Sequence, residues 1–128
     1  MVKDLDIKRL PRSFRYAARG VWHVIRTEQN LRIHVAATAL VILAGLILGI
    51  SGAEFAIILL AIGLVLTAEV INTVVEDFLD IIHPEHHEKV RRIKDALAGA
   101  VLLAALVAVG VGALVLGPRL LAALELAA

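Results

Sequence analysis

Three long apolar runs set the pattern of the chain, at residues 33–50, 55–75 and 96–117. Each approaches the ~20 residues that a helix needs to cross the hydrocarbon of a bilayer. Ahead of them, SFRYAARGVWHVIRTE places Phe14, Ala17, Ala18, Val21, Trp22 and Ile25 on one helical side, with Arg12, Arg15, Arg19, His23 and Arg26 mostly on the other. This alternation predicts a basic amphipathic helix over residues 12–28 lying at an anionic membrane surface, as a plain anchor or as part of a site. Pro11 and Ser13 stand where that helix should begin, one as an early helical residue and one as its cap. Pro84 should stop the second span's helix between Asp80 and His83, since proline disfavours helix at the residue before it. The predicted fold is therefore an all-α membrane protein, a single domain over residues 1–128 with an N-terminal surface helix and three transmembrane helices.

Composition agrees, because 60% apolar residues with only 4% aromatic exceed what an ordinary soluble core uses. The chain has no cysteine, which excludes disulfides, zinc–thiolate sites and thiol nucleophiles. No apolar run before Arg32 is long enough for the core of a cleavable signal peptide. Of the 13 Lys and Arg residues, eight precede the first run, four lie between the second and third, and Arg119 alone follows the third. Positive residues collect on the cytoplasmic side, so the N-terminus and the second loop are expected there, with the first loop and the C-terminus outside. Gly45 and Gly49 in the first run, and Gly99, Gly110, Gly112 and Gly117 in the third, permit close helix packing, either within the chain or between copies.

The second run is interrupted by polar groups. Fourteen uncharged residues from Phe55 to Ala68 end at Glu69, and Asn72, Thr73, Glu76 and Asp80 follow at offsets of 3, 4, 7 and 11. These offsets return to nearly one side of a helix. Ionisable groups in hydrocarbon are costly and mark function unless they merely bond one helix to another. Counting from Phe55, Glu69 comes ~21 Å along the axis and Glu76 ~32 Å, so Glu69 lies within the inner leaflet and Glu76 at its interface. A carboxylate at Glu69's depth suits a general base acting on a lipid hydroxyl. Glu76 and Asp80, with Glu28 at a similar depth, suit a hard cation such as magnesium carried with a polyphosphate. Lys94 and Asp95, opening the third span's helix, add a phosphate-binding charge and an acceptor. His83, His86 and His87 resemble a metal cluster, but HPEHHE lacks the i, i+4 spacing of a helical zinc site and reads better as a solvated loop. Lys89, Arg91 and Arg92 read as topology determinants. No GxxxxGK[ST] loop or Gly-rich kinase motif is present, so soluble kinase folds are excluded.

The strings RTEQNLRIH, AEVINTVVEDFLD and EHHEKVRRIKDALAGAVLLAA resemble the prokaryotic diacylglycerol kinase family, small integral-membrane lipid kinases, from about Arg9 to Leu116. The signature is ExxNTxxExxxD followed by KDxxAGAVL. The TEQNLRIH segment is more similar to the Gram-positive branch, many of whose members act on undecaprenol. The resemblance implies a homotrimer of three-span protomers in the bacterial inner membrane, with active sites shared between neighbours. It implies that Glu69 is the catalytic base assisted by Asn72, and that Glu28 and Glu76 bind the Mg2+ accompanying ATP. Arg9, Tyr16, Glu76, Glu85, His86, His87, Lys94 and Asp95 would contact the nucleotide, with Asp80 beside them. The chain departs from the family pattern at His86, where tyrosine is usual, and at the variable positions Asp77 and Phe78.

The expected activity is transfer of the γ-phosphate of Mg-ATP to the hydroxyl of a membrane lipid alcohol, undecaprenol or diacylglycerol. The lipid would enter laterally between the surface helix and the second span, meeting Ser13, Arg15 and Trp22 as well as Glu69. No nucleic acid partner is expected. Two rivals use the same residues: an oligomer conducting ions or protons through carboxylates in a bundle, and a packing or lipid-binding module without catalysis.

Overall fold

A computed structural model describes residues 9–85 and 87–127. Its described residues form four helices, α1 (Leu10–Thr27), α2 (Gln29–Ile47), α3 (Gly52–Ile82) and α4 (Glu88–Ala127). The last three are long and apolar enough to cross a membrane, so the all-α fold with an N-terminal helix and three spans stands. Pro11 lies in the first turn of α1 as the sequence suggests, but Ser13 does not cap it. Arg9 occupies the cap position, and the Ser13 hydroxyl, already inside the helix, donates back to the Arg9 carbonyl at 3.2 Å. Phe14, Val21 and Trp22 remain exposed, leaving the apolar side of α1 open.

One residue separates α1 from α2. Glu28 is extended at φ −97° and ψ 122° while its N–H still donates to the Val24 carbonyl at 2.8 Å. A single extended residue redirects the chain from surface helix to span without leaving its amide unpaired. At the other end of α2 the turn depends on Gly49, whose φ of +61° is a conformation that L side chains rarely adopt. Ser51 then starts α3 with a capping box: its hydroxyl accepts from the Glu54 N–H at 3.3 Å, and the Glu54 carboxylate accepts from the Ser51 N–H at 2.7 Å.

A side chain from α4 locks this turn. Arg119 donates to the Gly49 carbonyl at 2.7 Å and the Leu48 carbonyl at 3.4 Å, and pairs with the Glu54 carboxylate at 2.6 Å. The apolar run of the third span ends at residue 117, yet α4 continues through Pro118 to Ala127. Gly117, lacking a Cβ, relieves the clash that proline imposes on the residue before it. At the opposite end α3 stops at Ile82, capped by His83 just ahead of Pro84, as the proline requires.

α3 is central and packs chiefly on α4, with α2 also against it. Its buried residues are Ile58, Ala61, Val65, Glu69, Asn72 and Thr73, one stripe that begins apolar and ends polar. Gly45 is filled from within the chain: a Cβ there would meet Ile50 at 2.9 Å and Phe55 at 3.3 Å. Around Gly99, Gly110, Gly112 and Gly117, by contrast, the space is open. Large residues such as Leu60, Leu103 and Leu114 are exposed along the spans, as surfaces meant for lipid or other helices are.

Candidate active site

The polar half of the α3 stripe forms the centre of the site. Glu69 is only 2% exposed, and Asn72 and Thr73 beside it are buried. The Thr73 hydroxyl donates to the Glu69 carbonyl at 3.1 Å, a bond along the helix that leaves the carboxylate free for other partners. Asn30 and His34 from α2 interact with that carboxylate, as do the like charges of Glu28 and Glu76. The break at Glu28 explains part of this arrangement, since it brings the first turns of α2 alongside the polar stretch of α3. The Asn72 side-chain oxygen is buried with no hydrogen-bond partner among the described residues. A buried orphan acceptor costs about 1–3 kcal/mol.

Further along α3, Asp80 receives a 2.5 Å ion pair from Lys94 of α4. The pair ties the last turns of α3 to the first turns of α4, and it borders an open cleft of about 440 Å³. Asp80, Glu85, His87 and Lys94 all line this cleft, so four residues that the sequence assigns to nucleotide binding share one wall. His83 and Arg91 line it as well, adding groups able to face an anion. Asp95, Arg9 and Tyr16 are not part of its wall, and His86 lies outside the described residues. Asp80 is 11 residues beyond Glu69, ~16 Å along the helix axis, with Glu76 between them. A phosphate chain entering from the cleft would therefore reach Glu76 before Glu69.

Among the described residues, no three His, Asp or Glu side chains gather closely enough to hold a metal ion unaided. Magnesium needs no such cluster, since it takes one or two protein carboxylates and completes its shell with phosphate and water. Glu28 and Glu76, expected as its ligands, both interact with Glu69.

On α1 the Arg15 and Arg19 guanidiniums lie 5.9 and 5.8 Å from the Tyr16 ring centroid, and Arg26 lies 5.3 Å from that of Trp22. These stacks hold cationic groups along an exposed helix. Ser13, Arg15 and Trp22, expected as lipid contacts, are exposed on that helix. The residues that periodicity alone missed are Asn30 and His34. The available signal was their i, i+4 spacing, which puts both on one side of α2, although the partner of that side is not written in α2.

Comparison with known proteins follows the same lines. Residues 15–116 match the family described as prokaryotic diacylglycerol kinase. The chain is 37% identical over 115 residues to the undecaprenol kinase of Bacillus subtilis, covering 90% of this chain and 94% of that protein. It is 41% identical over 110 residues to the diacylglycerol kinase of Synechocystis, covering 85% of this chain and 63% of that longer protein.

Proposed function

The chain belongs to the prokaryotic diacylglycerol kinase family and is a lipid kinase, and we propose that it transfers the γ-phosphate of ATP to the hydroxyl of a membrane lipid alcohol such as undecaprenol or diacylglycerol. The observation that carries this reading is the continuity of the α3 stripe, from the buried Glu69 carboxylate and the orphan Asn72 oxygen to the polar cleft lined by Asp80, Arg91 and Lys94. One end suits proton abstraction in a dry setting and the other suits a polyanion.

In this mechanism Glu69 takes the proton of the lipid hydroxyl. The freed oxygen bonds to the γ-phosphorus as the bond to the bridging oxygen of the β-phosphate breaks, and ADP departs. No covalent phosphoenzyme forms. Asn72 orients the hydroxyl or the base, and Lys94 draws the phosphates toward the cleft. Glu28 and Glu76 would hold Mg2+, which when bound neutralises charge on the phosphates. The distribution of positive residues supports a cytoplasmic position for this end of the bundle, with the surface helix admitting lipid from the inner leaflet. The exposed apolar sides and open glycines of the spans accommodate neighbouring protomers, in keeping with a homotrimer.

The test is direct. Purified protein incubated with Mg-ATP and a panel of lipid alcohols should yield radiolabelled lipid phosphate, and the absence of product across the panel would reject the proposal.

A further inference from the structure

The turn that joins α3 to α4 carries an imidazole at each helix end. His83 follows the last residue of α3 as its C-cap, with its N–H donating to the Leu79 carbonyl at 2.8 Å. His87 stands immediately before Glu88, the first residue of α4. Its carbonyl accepts from the Arg91 N–H at 3.1 Å and its ring Nδ1 accepts from the Lys89 N–H at 3.2 Å, so the imidazole serves as a side-chain cap for α4. The two ring centroids are 6.3 Å apart, and the rings are tilted by 36°. Both residues line the cleft of about 440 Å³. The charged groups around them are Glu85 in the turn, Asp80 of α3, which pairs with Lys94, and Glu88 and Arg91 of α4, Glu88 being paired with Arg92. His86, between them in sequence, lies outside the described residues.

We propose that His83 makes the cleft acid-sensitive: a proton gained near neutrality adds positive charge to the wall shared with Arg91 and Lys94 and strengthens its hold on a nucleotide's phosphates, while His87 stays neutral as the cap of α4. The inference rests on the kinase reading and adds a regulation of that site, through a residue outside the nucleotide contacts that the family resemblance implies. Imidazole is the side chain that ordinarily changes charge between about pH 5 and 8. A proton on Nδ1 of His87 would remove the lone pair that accepts from Lys89, and would set a cation at the N-terminal end of α4, where the helix dipole is already positive. At His83 the same proton meets the carbonyl end of α3, where a cation is favoured. Two positive rings so close would also repel each other, so a single charge is the change to follow. The geometry thus divides the pair into a ring that titrates and a ring that caps. A polyphosphate in the cleft favours the charged form of His83, so nucleotide binding and proton uptake support each other. The consequence is a KM for ATP that falls as the medium acidifies.

The experiment uses the full chain in mixed micelles with saturating Mg2+ and saturating undecaprenol or diacylglycerol, and measures the KM for ATP at about pH 6 and about pH 8. Wild type should show a KM about threefold or more lower at the acid pH, as an added charge at an exposed site would give. His83→Gln, which cannot titrate, should lose that ratio and hold the KM near the wild type's alkaline value. His83→Arg, charged throughout, should lose the ratio as well but hold the KM near the acid value. His87→Asn, which keeps a cap without a titrating ring, should retain the wild-type ratio whatever it does to the KM itself. The titrations of ATP and of His86 are common to all four proteins and cancel in the comparison. His83 is exposed, so its replacements leave the packing intact. The proposal is overturned by a wild-type ratio below about threefold, by a ratio that survives in His83→Gln, by equal KM values for the Gln and Arg variants, or by loss of the ratio in His87→Asn. A wild type that phosphorylates neither lipid sinks the kinase reading itself, whereas an active wild type with any of these results sinks this inference alone.

Discussion

Replacing Glu69 by glutamine separates a catalytic carboxylate from a structural one, because the structure assigns different consequences to each. The side chain is 2% exposed, so the substitution must conserve its volume, and glutamine does. The bond from the Thr73 hydroxyl goes to the backbone carbonyl of residue 69 and survives the change. Asn30 can still pair with an amide. Glu28 and Glu76 lose a like-charged neighbour, which favours the folded state slightly if it does anything. Fold and nucleotide binding should therefore be unchanged, with stability within about 1 kcal/mol of wild type. Turnover is a different matter, since an amide cannot accept the hydroxyl proton. The loss of a general base is worth about 10²–10⁴-fold, or about 3–5 kcal/mol of transition-state stabilisation. The assay pairs initial rates of lipid phosphorylation with thermal unfolding and ATP binding in the same detergent. A folded, nucleotide-competent variant turning over within about tenfold of wild type would refute the assignment of Glu69 as base.

At the cleft, Lys94→Met should raise the KM for ATP by about tenfold or more, whereas Asp80→Asn, which leaves the lysine in place, should cost less; a smaller effect of Lys94→Met than of Asp80→Asn in steady-state kinetics would argue against phosphate binding there. Chelation of Mg2+ should stop turnover, and Glu76→Gln should raise the Mg2+ concentration giving half-maximal rate; an unaltered Mg2+ dependence would remove Glu76 from the metal site. At the other end of the bundle, a thermal-unfolding cycle on Arg119→Ala and Glu54→Ala should show a favourable coupling, with the KM for ATP unmoved; additive effects would mean that the ion pair contributes nothing. Gly49→Ala should destabilise the protein by about 1–2 kcal/mol through its positive φ alone, since an added Cβ meets no atom within 4 Å, and an unaltered Tm would contradict the turn conformation.

The features legible in the sequence are those whose cause lies within one helix. The stripe from Glu69 to Asp80 follows from 3.6 residues per turn, and the stop near His83 from the geometry of Pro84. The three spans follow from the length of their apolar runs. What could not be read required the register between helices. Arg119 closes the α2–α3 turn from 65 residues beyond Glu54, and nothing in either segment announces the partner. Asn30 and His34 reach Glu69 because the extended residue Glu28 sets the height at which α2 begins. The Ser13 cap was misplaced for a local reason: a serine inside a first turn can bond back to a carbonyl four residues earlier as readily as forward to an amide.

These two kinds of feature meet on α3 in a way that bears on mechanism. Its buried stripe switches from apolar to polar between Val65 and Glu69, within one turn, and α2 makes the matching switch between Thr38 and Asn30. A lipid with its chain in the apolar groove of about 540 Å³ lined by α2, α3 and α4 would be limited in depth: sinking further would bury its hydroxyl among alanine and valine, and rising would drag hydrocarbon past Glu69, Glu28 and Glu76. Chain burial and head-group polarity would thus oppose each other about one position, beside the carboxylate. The cleft at Asp80 and Lys94 is three helical turns further on, open to water, where a charged nucleotide can enter without crossing hydrocarbon. Two reactants of opposite solubility can therefore approach the same stripe from its two ends, and Glu69 with its orphan neighbour Asn72 occupies the stretch where they would meet.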